Sequence, residues 1–379
     1  MKPLPYNKAT RIKFIPERTR KLKYVVISLL LLTGCNCSKK GITGTQPTLL
    51  PPTPQQEKVW TWEKLNWGGL GAWAIAVEPG DGNTFYVSSV SASTEGIFKS
   101  TDGGKSFNKV WNMGTLGLAI DPNRPKVIYA ACGNFGVWRS RDGGMSWNQL
   151  TSNHYAECVL PDRSDSNYIF AGPWRSTDYG LTWTLSIPYI MDPSDIKAIV
   201  QGSQNPFLLY ADQNYIATRL TLKSLDKGAT WTAVDGGGDK RGYNHLAIDP
   251  YDNQKVYGGV FYPNPSGHRN VQVDSLLRTT DGGANWETFP IGQDTLEVSD
   301  VPVAVDPRQG FGYILYAGGN GVYRSEEYGK TWKKIGLGGF WVRDIAVSPT
   351  VPSGTTVVYV VGVCSDGPCD RLYRGSAGR

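Results

Sequence analysis

Histidine is scarce: the 379 residues hold three, His154, His245 and His268. They lie far apart, without the spacing that clamps a metal, so no metal centre is expected. No G-x-S-x-G turn occurs to carry a serine nucleophile. No phosphate-cradling loop occurs either. "GGLG" at Gly68 lacks the Lys-Ser/Thr ending, and no G-x-G-x-x-G opens a helix. No cofactor is therefore expected. Helical periodicity is missing from every eleven-residue stretch. Excess positive charge is missing from the body of the chain. Residues 1–40 carry ten Lys or Arg against one acid, Glu17, which leaves 29 bases and 32 acids for the rest. A nucleic-acid partner, which would require a basic face on the folded part, is not expected.

The apolar run "YVVISLLLL" at residues 24–32 is too short to span a bilayer stably. Preceded by Arg18, Arg20, Lys21 and Lys23, it suits the core of a signal peptide. "LTGC" follows, and these small residues before a cysteine resemble a bacterial lipobox. That resemblance implies a signal peptide over 1–34 and lipid on Cys35. It implies a cell-envelope location with membrane contact through the anchor alone. Asn36 after the cysteine favours the outer membrane. Residues 35–57 are rich in Pro, Thr, Gln and Gly and read as a flexible tether.

What is abundant is one motif. "STDGGKSF" begins at Ser100, "SRDGGMSW" at Ser140 and "STDYGLTW" at Ser176; "SLDKGATW" begins at Ser224, "TTDGGANW" at Thr279 and "SEEYGKTW" at Ser325. Spacings of 36 to 55 residues indicate one supersecondary unit per copy. "LAIDPNRPKVIYAACGNFGVWRSRDGGMSW" shows a whole unit, with segments for four short strands. The chemistry of the motif is structural. An Asp can accept hydrogen bonds from its own turn, a Gly can take positive φ, and the Trp must be buried against a neighbour. Asp102, Asp142, Asp178, Asp226 and Asp281, with Glu327 in the sixth copy, are therefore read as turn formers rather than catalytic acids.

These residues resemble the Asp-box, or BNR repeat, of sialidases, xyloglucanases, sortilin ectodomains and a photosystem II assembly factor, all β-propellers. The resemblance runs over residues 58–379. At the C-terminus "DRLYRGSAGR" matches the strand before a box, but the chain stops before any "TW". Thr61 and Trp62 supply it from the other end. The expectation is an all-β, seven-bladed β-propeller of four-stranded antiparallel blades over 58–379, closed by pairing of the N-terminal strand with the C-terminal segment. Such closure leaves no open sheet edge.

Cys364 and Cys369 bracket the turn-rich "SDGP", and in an oxidising compartment a disulfide is expected between them. A second bridge between Cys132 and Cys158 is conceivable from their places in adjoining units. The Arg-bearing signature of sialidases is missing. Where xyloglucanases carry their first catalytic Asp, "FYVSSVSASTEG" has Ser and Val. Ligand contacts are expected on the face where loops lead into the first strands. Candidates there are Trp73, Tyr155, Tyr243, His245, Asp300, Trp341 and Arg343, with Tyr262, His268 and Arg269 from a long loop. Trp73 and Trp341 either plug the ring centre or touch ligand. Two functions follow: a non-catalytic, monomeric platform that binds an envelope protein or polysaccharide, or a glycoside hydrolase. The second requires paired carboxyl groups in a cleft on that face.

Overall fold

The computed structural model describes residues 59–187, 192, 196–214, 219–234, 242–261, 275–292, 301–308, 310–350, 355–364 and 370–378. All regular structure among them is β. After β1 (Trp60–Lys64) come five consecutive four-stranded antiparallel sheets. The first is β2 (Ala72–Glu78), β3 (Asp81–Ser89), β4 (Gly96–Ser100) and β5 (Asn108–Trp111). The second is β6 (Gly117–Ile120), β7 (Ile128–Ala131), β8 (Val137–Ser140) and β9 (Asn148–Thr151). The third is β10 (Val159–Pro161), β11 (Ile169–Ala171), β12 (Trp174–Ser176) and β13 (Thr184–Leu185). The fourth is β14 (Ile196–Gln201), β15 (Leu209–Asn214), β16 (Arg219–Ser224) and β17 (Thr232–Ala233). The fifth is β18 (Gly242–Asp249), β19 (Asp252–Phe261), β20 (Ser275–Thr279) and β21 (Glu287–Pro290).

The rest of the chain corrects the expectation of seven four-stranded blades. β22 (Val303–Val305), β23 (Leu315–Ser325), β24 (Lys333–Val347), β25 (Thr356–Cys364) and β26 (Asp370–Ala377) join β1 in one six-stranded sheet, ordered β1-β26-β25-β24-β23-β22. The propeller thus has five four-stranded blades, not seven. The physical reason is β24. Its 15 residues run without a break, pairing with β23 from Lys333 to Trp341 and with β25 from Phe340 to Val347. In this sheet β1 pairs antiparallel with β26, Trp62 opposite Gly375.

Each motif copy builds its hairpin in the same way. Asp102 Oδ1 accepts the Ser106 N–H at 3.0 Å and Oδ2 accepts the Ser106 hydroxyl at 2.6 Å. Ser100 Oγ donates to Asp102 at 2.9 Å and accepts the Gly104 N–H at 2.9 Å. Asp142, Asp178, Asp226 and Asp281 repeat the pattern with the residue four positions on. Glu327, one methylene longer, accepts the Thr331 hydroxyl through Oε2 at 2.9 Å. The turn requires a left-handed residue after the Asp. Gly103 serves at φ 76°, whereas Tyr179, Lys227 and Tyr328 are forced there at 54–62°.

Neighbouring sheets are joined through these turns. In the first five copies the Lys or Arg just before the box Ser or Thr reaches into the next sheet's box and donates to the carbonyl of the residue after its acid. Lys99 and Lys223 donate to Gly143 and Gly282 at 3.3 and 2.7 Å. Arg139, Arg175 and Arg278 donate to Tyr179, Lys227 and Tyr328 at 2.6, 3.0 and 2.9 Å. The second-strand tyrosines add to this: Tyr86 and Tyr210 hydroxyls donate to Gly143 and Gly282 at 3.1 Å each. The apolar core lies between sheets. Tyr86 and Ile97 pack with Ile128 and Ala130, and Phe170 packs with Ile196 and Leu209. Tyr257 and Leu276 pack with Val303 and Leu315, and Phe85 packs with Val357 and Tyr359.

Candidate functional site

The first strands of the sheets converge on a cavity of about 230 Å³ lined by Trp73, Ala74, Leu116, Glu157, Lys197, His245, Arg343 and Asp344. Their placement follows from strand register. Val77, Ile120, Pro161, Gln201 and Val347 each sit opposite the second strand at the same level of their sheets. Four residues upstream of each stand Trp73, Leu116, Glu157, Lys197 and Arg343. One residue nearer that level stand Ala74, Asp344 and, counted from Ile248 in β18, His245, so these also border the cavity.

The charged groups form two sets. Glu157 accepts from Lys197 Nζ through Oε2 at 2.5 Å, and from the Tyr155 hydroxyl through Oε1. Burial and then this bond to Glu157 push the Tyr155 phenol well above its ordinary value, so it remains a donor. Asp344 sits apart. Its Oδ2 accepts the Ile75 N–H at 2.9 Å, tying the last sheet to the first, and its Oδ1 accepts the Ile345 N–H at 2.8 Å. Burial pushes its carboxyl above the ordinary range, against the opposing pull of His245 and the two amides. Arg343 lies over the Trp73 ring at 4.5 Å and holds the indole against the cavity wall.

Of the residues singled out in the sequence, Trp73, His245 and Arg343 meet here. Tyr155 lies in an adjoining hollow and touches the cavity through Glu157. Trp341 does not line the cavity; it stands on β24 opposite Asn320 and Val363. Tyr262, His268, Arg269 and Asp300 lie outside the described residues, as does the side chain of Tyr243. Sequence reasoning missed Glu157, Lys197 and Asp344. The box acids stay in their turns, and their pKa values show it: hydrogen bonds from the residue four positions on hold Asp142, Asp178 and Asp281 down to about 2.

The cysteines require one correction. Cys132 and Cys158 are free thiols, not a bridge. Cys158 faces the next sheet, its Sγ 3.7 Å from the Ile196 carbonyl. Cys364 is disulfide-bonded; Cys35 and Cys369 lie outside the described residues. No cluster of three or more His, Cys, Asp or Glu suited to a metal occurs among the described residues.

Comparison with known proteins gives the following likenesses. The BNR-Asp box repeat family matches residues 322–335. Xyloglucanase Xgh74A of Acetivibrio thermocellus is 26% identical over 298 residues, 74% of this chain and 26% of that protein. The chain thus spans about a quarter of that curated relative's length. A GH74 enzyme of Niastella koreensis superposes with a TM-score of 0.56 at 22% identity, over 79% of this chain and 52% of that one. YCF48 from Cyanidioschyzon merolae superposes with a TM-score of 0.55 at 14% identity, over 83% of this chain and 98% of that one. At these identities the superpositions show a shared fold.

Proposed function

We propose that this Asp-box β-propeller is a glycoside hydrolase that acts on a polysaccharide of the xyloglucan kind at its axial cavity. One observation carries the reading: the cavity holds two carboxyl groups with different partners, Asp344 bonded to backbone amides and Glu157 to Lys197 and Tyr155. Asp344 is shielded and favours its proton, which suits a general acid. Glu157 is held in place by Lys197 and Tyr155, which suits the partner carboxylate. In this scheme Asp344 protonates the glycosidic oxygen as the C–O bond breaks. Glu157 faces the developing positive charge and takes a proton from the attacking water. Trp73 offers its indole to the apolar face of a sugar ring.

The similarity to xyloglucanases supports the same class. The non-catalytic platform expected from the sequence finds no comparable support in the relatives. The test is release of reducing ends from soluble xyloglucan. Asp344→Asn and Glu157→Gln should each lower kcat by about 100-fold or more, as loss of a positioned acid or base does. Full turnover by both variants would overturn the reading.

The leader supplies a proposal about place. We infer attachment to the bacterial envelope through lipid on Cys35. Metabolic labelling with a fatty acid should mark the wild-type chain and not Cys35→Ser; labelling of both would refute it.

A further inference from the structure

Beside the axial cavity lies a second hollow, of about 260 Å³, lined by Val90, Glu95, Gly114, Leu116, Cys132, Gly133, Asn134, Phe135 and Tyr155. The two spaces share Leu116 as a wall. They are also linked through the Tyr155 hydroxyl, which donates to the cavity's Glu157. We propose that this hollow is an accessory site for a neutral pyranose unit of the glycan whose cleaved linkage lies in the axial cavity. The proposal rests on the reading above for its ligand and goes beyond it in naming where the chain runs and what sugar it accepts.

The argument begins with Phe135. The residue is 63% exposed at the tip of the β7–β8 hairpin. An exposed aromatic on a loose loop would mean little, but this backbone is clamped. The Phe135 N–H donates to Cys132 at 3.0 Å, and its carbonyl accepts both Trp138 Nε1 and Gln149 Nε2 at 3.0 Å. Gly136 beside it sits at φ 74°, where a Cβ would come within 1.8 Å of the Thr151 carbonyl oxygen. The turn is held by these bonds, so its backbone has little ordering entropy left to lose on binding. A rigid aromatic face suits the C–H face of a pyranose.

The polar groups narrow the choice. Glu95 borders the hollow, with Oε1 accepting the Gly114 N–H at 2.9 Å. A carboxylate there accepts sugar hydroxyls and repels uronic or sialic acids. Asn134 adds an amide able to donate and accept. The ligand class is therefore a neutral, hydroxyl-rich ring, not an acidic sugar.

Affinity electrophoresis separates this proposal from the catalytic one, because it reads binding without turnover. Asp344→Asn protein is run through gels containing soluble xyloglucan or polygalacturonate. Retardation by xyloglucan, absent with polygalacturonate, is expected. Adding Phe135→Ala should weaken apparent affinity about tenfold, Phe135→Tyr should restore it, and Phe207→Ala, an exposed ring on another sheet, should leave it unchanged. Unaltered retardation of the Phe135→Ala variant overturns the hollow as a sugar site, as does no retardation by xyloglucan at all. If Phe135-dependent retardation persists while the wild-type chain releases no reducing ends, the hollow stands and the hydrolase reading falls.

Discussion

Arg139 is almost fully buried, and among the described residues it makes no ion pair; it donates to the Tyr179 carbonyl and stacks on that ring at 3.8 Å. Lys99, Arg175, Lys223 and Arg278 do the corresponding work elsewhere. In sequence each is the basic residue immediately before a box Ser or Thr. That regularity was legible, but a lone basic residue reads as solvated until its neighbour is known. Arg139→Ala should cost about 2 kcal/mol by leaving a buried carbonyl without its donor, and Arg139→Lys should cost less; urea midpoints measure both. The box acids predict the response to acid. Hydrogen bonds from Ser146 lower the Asp142 pKa from 3.8 to about 2. The folded value lies below the unfolded one, so this stabilisation is present above about pH 4 and lost as pH falls towards 2. Asp142→Asn should flatten the dependence of the urea midpoint on pH across that window.

Among elements, β24 decides the architecture. Boxes count hairpins, and six hairpins with a frayed seventh suggested seven separate sheets. Nothing in "KKIGLGGFWVRDIAV" announces that one strand will serve two partners, because its glycines read as a break. In the structure they let the strand bend without ending. Gly336 sits at φ 152°, and a Cβ there would come within 2.2 Å of Trp62 Nε1, which donates to the Ile335 carbonyl. Gly336→Ala should therefore displace Trp62 and destabilise by about 1–3 kcal/mol, readable as a lowered Tm. The cavity was partly legible at this scale too. Counting four residues back from the strand level shared by the repeats finds Glu157 and Lys197 as readily as Trp73. Choosing by residue type found Tyr155 instead, two positions short. Asp344, three residues back rather than four, stands beside a register shift that sequence does not mark.

For the whole molecule, the first and last strands of the described residues, β1 and β26, meet in one sheet, and that sheet packs on the first. Trp67, only 4% exposed, lies edge-on to Phe98 at 5.2 Å in the cluster that also holds Val361 and Leu372. Trp67→Ala should cost about 3–5 kcal/mol, seen in chemical denaturation as an earlier midpoint common to the near- and far-ultraviolet signals. The cavity at the centre carries a pH prediction. Asp344 must hold its proton to act as the acid, and burial raises its pKa. Hydrolysis by the wild-type chain should therefore fall as pH rises through that raised value, and the Asp344→Asn variant should lose that alkaline limb; an unchanged limb in the variant would contradict the assignment. By itself the sequence determined what is local: the turn chemistry of each box, the strands that flank it, the aromatic that packs, half-buried, against the core, and hence an all-β propeller. Each of these is settled within about ten residues by hydrogen-bonding capacity and side-chain volume. Only the tertiary structure decided how many sheets those hairpins make and which side chains share the central cavity. Those outcomes depend on strand register and on the continuity of a single strand, and contacts between residues hundreds of positions apart set both.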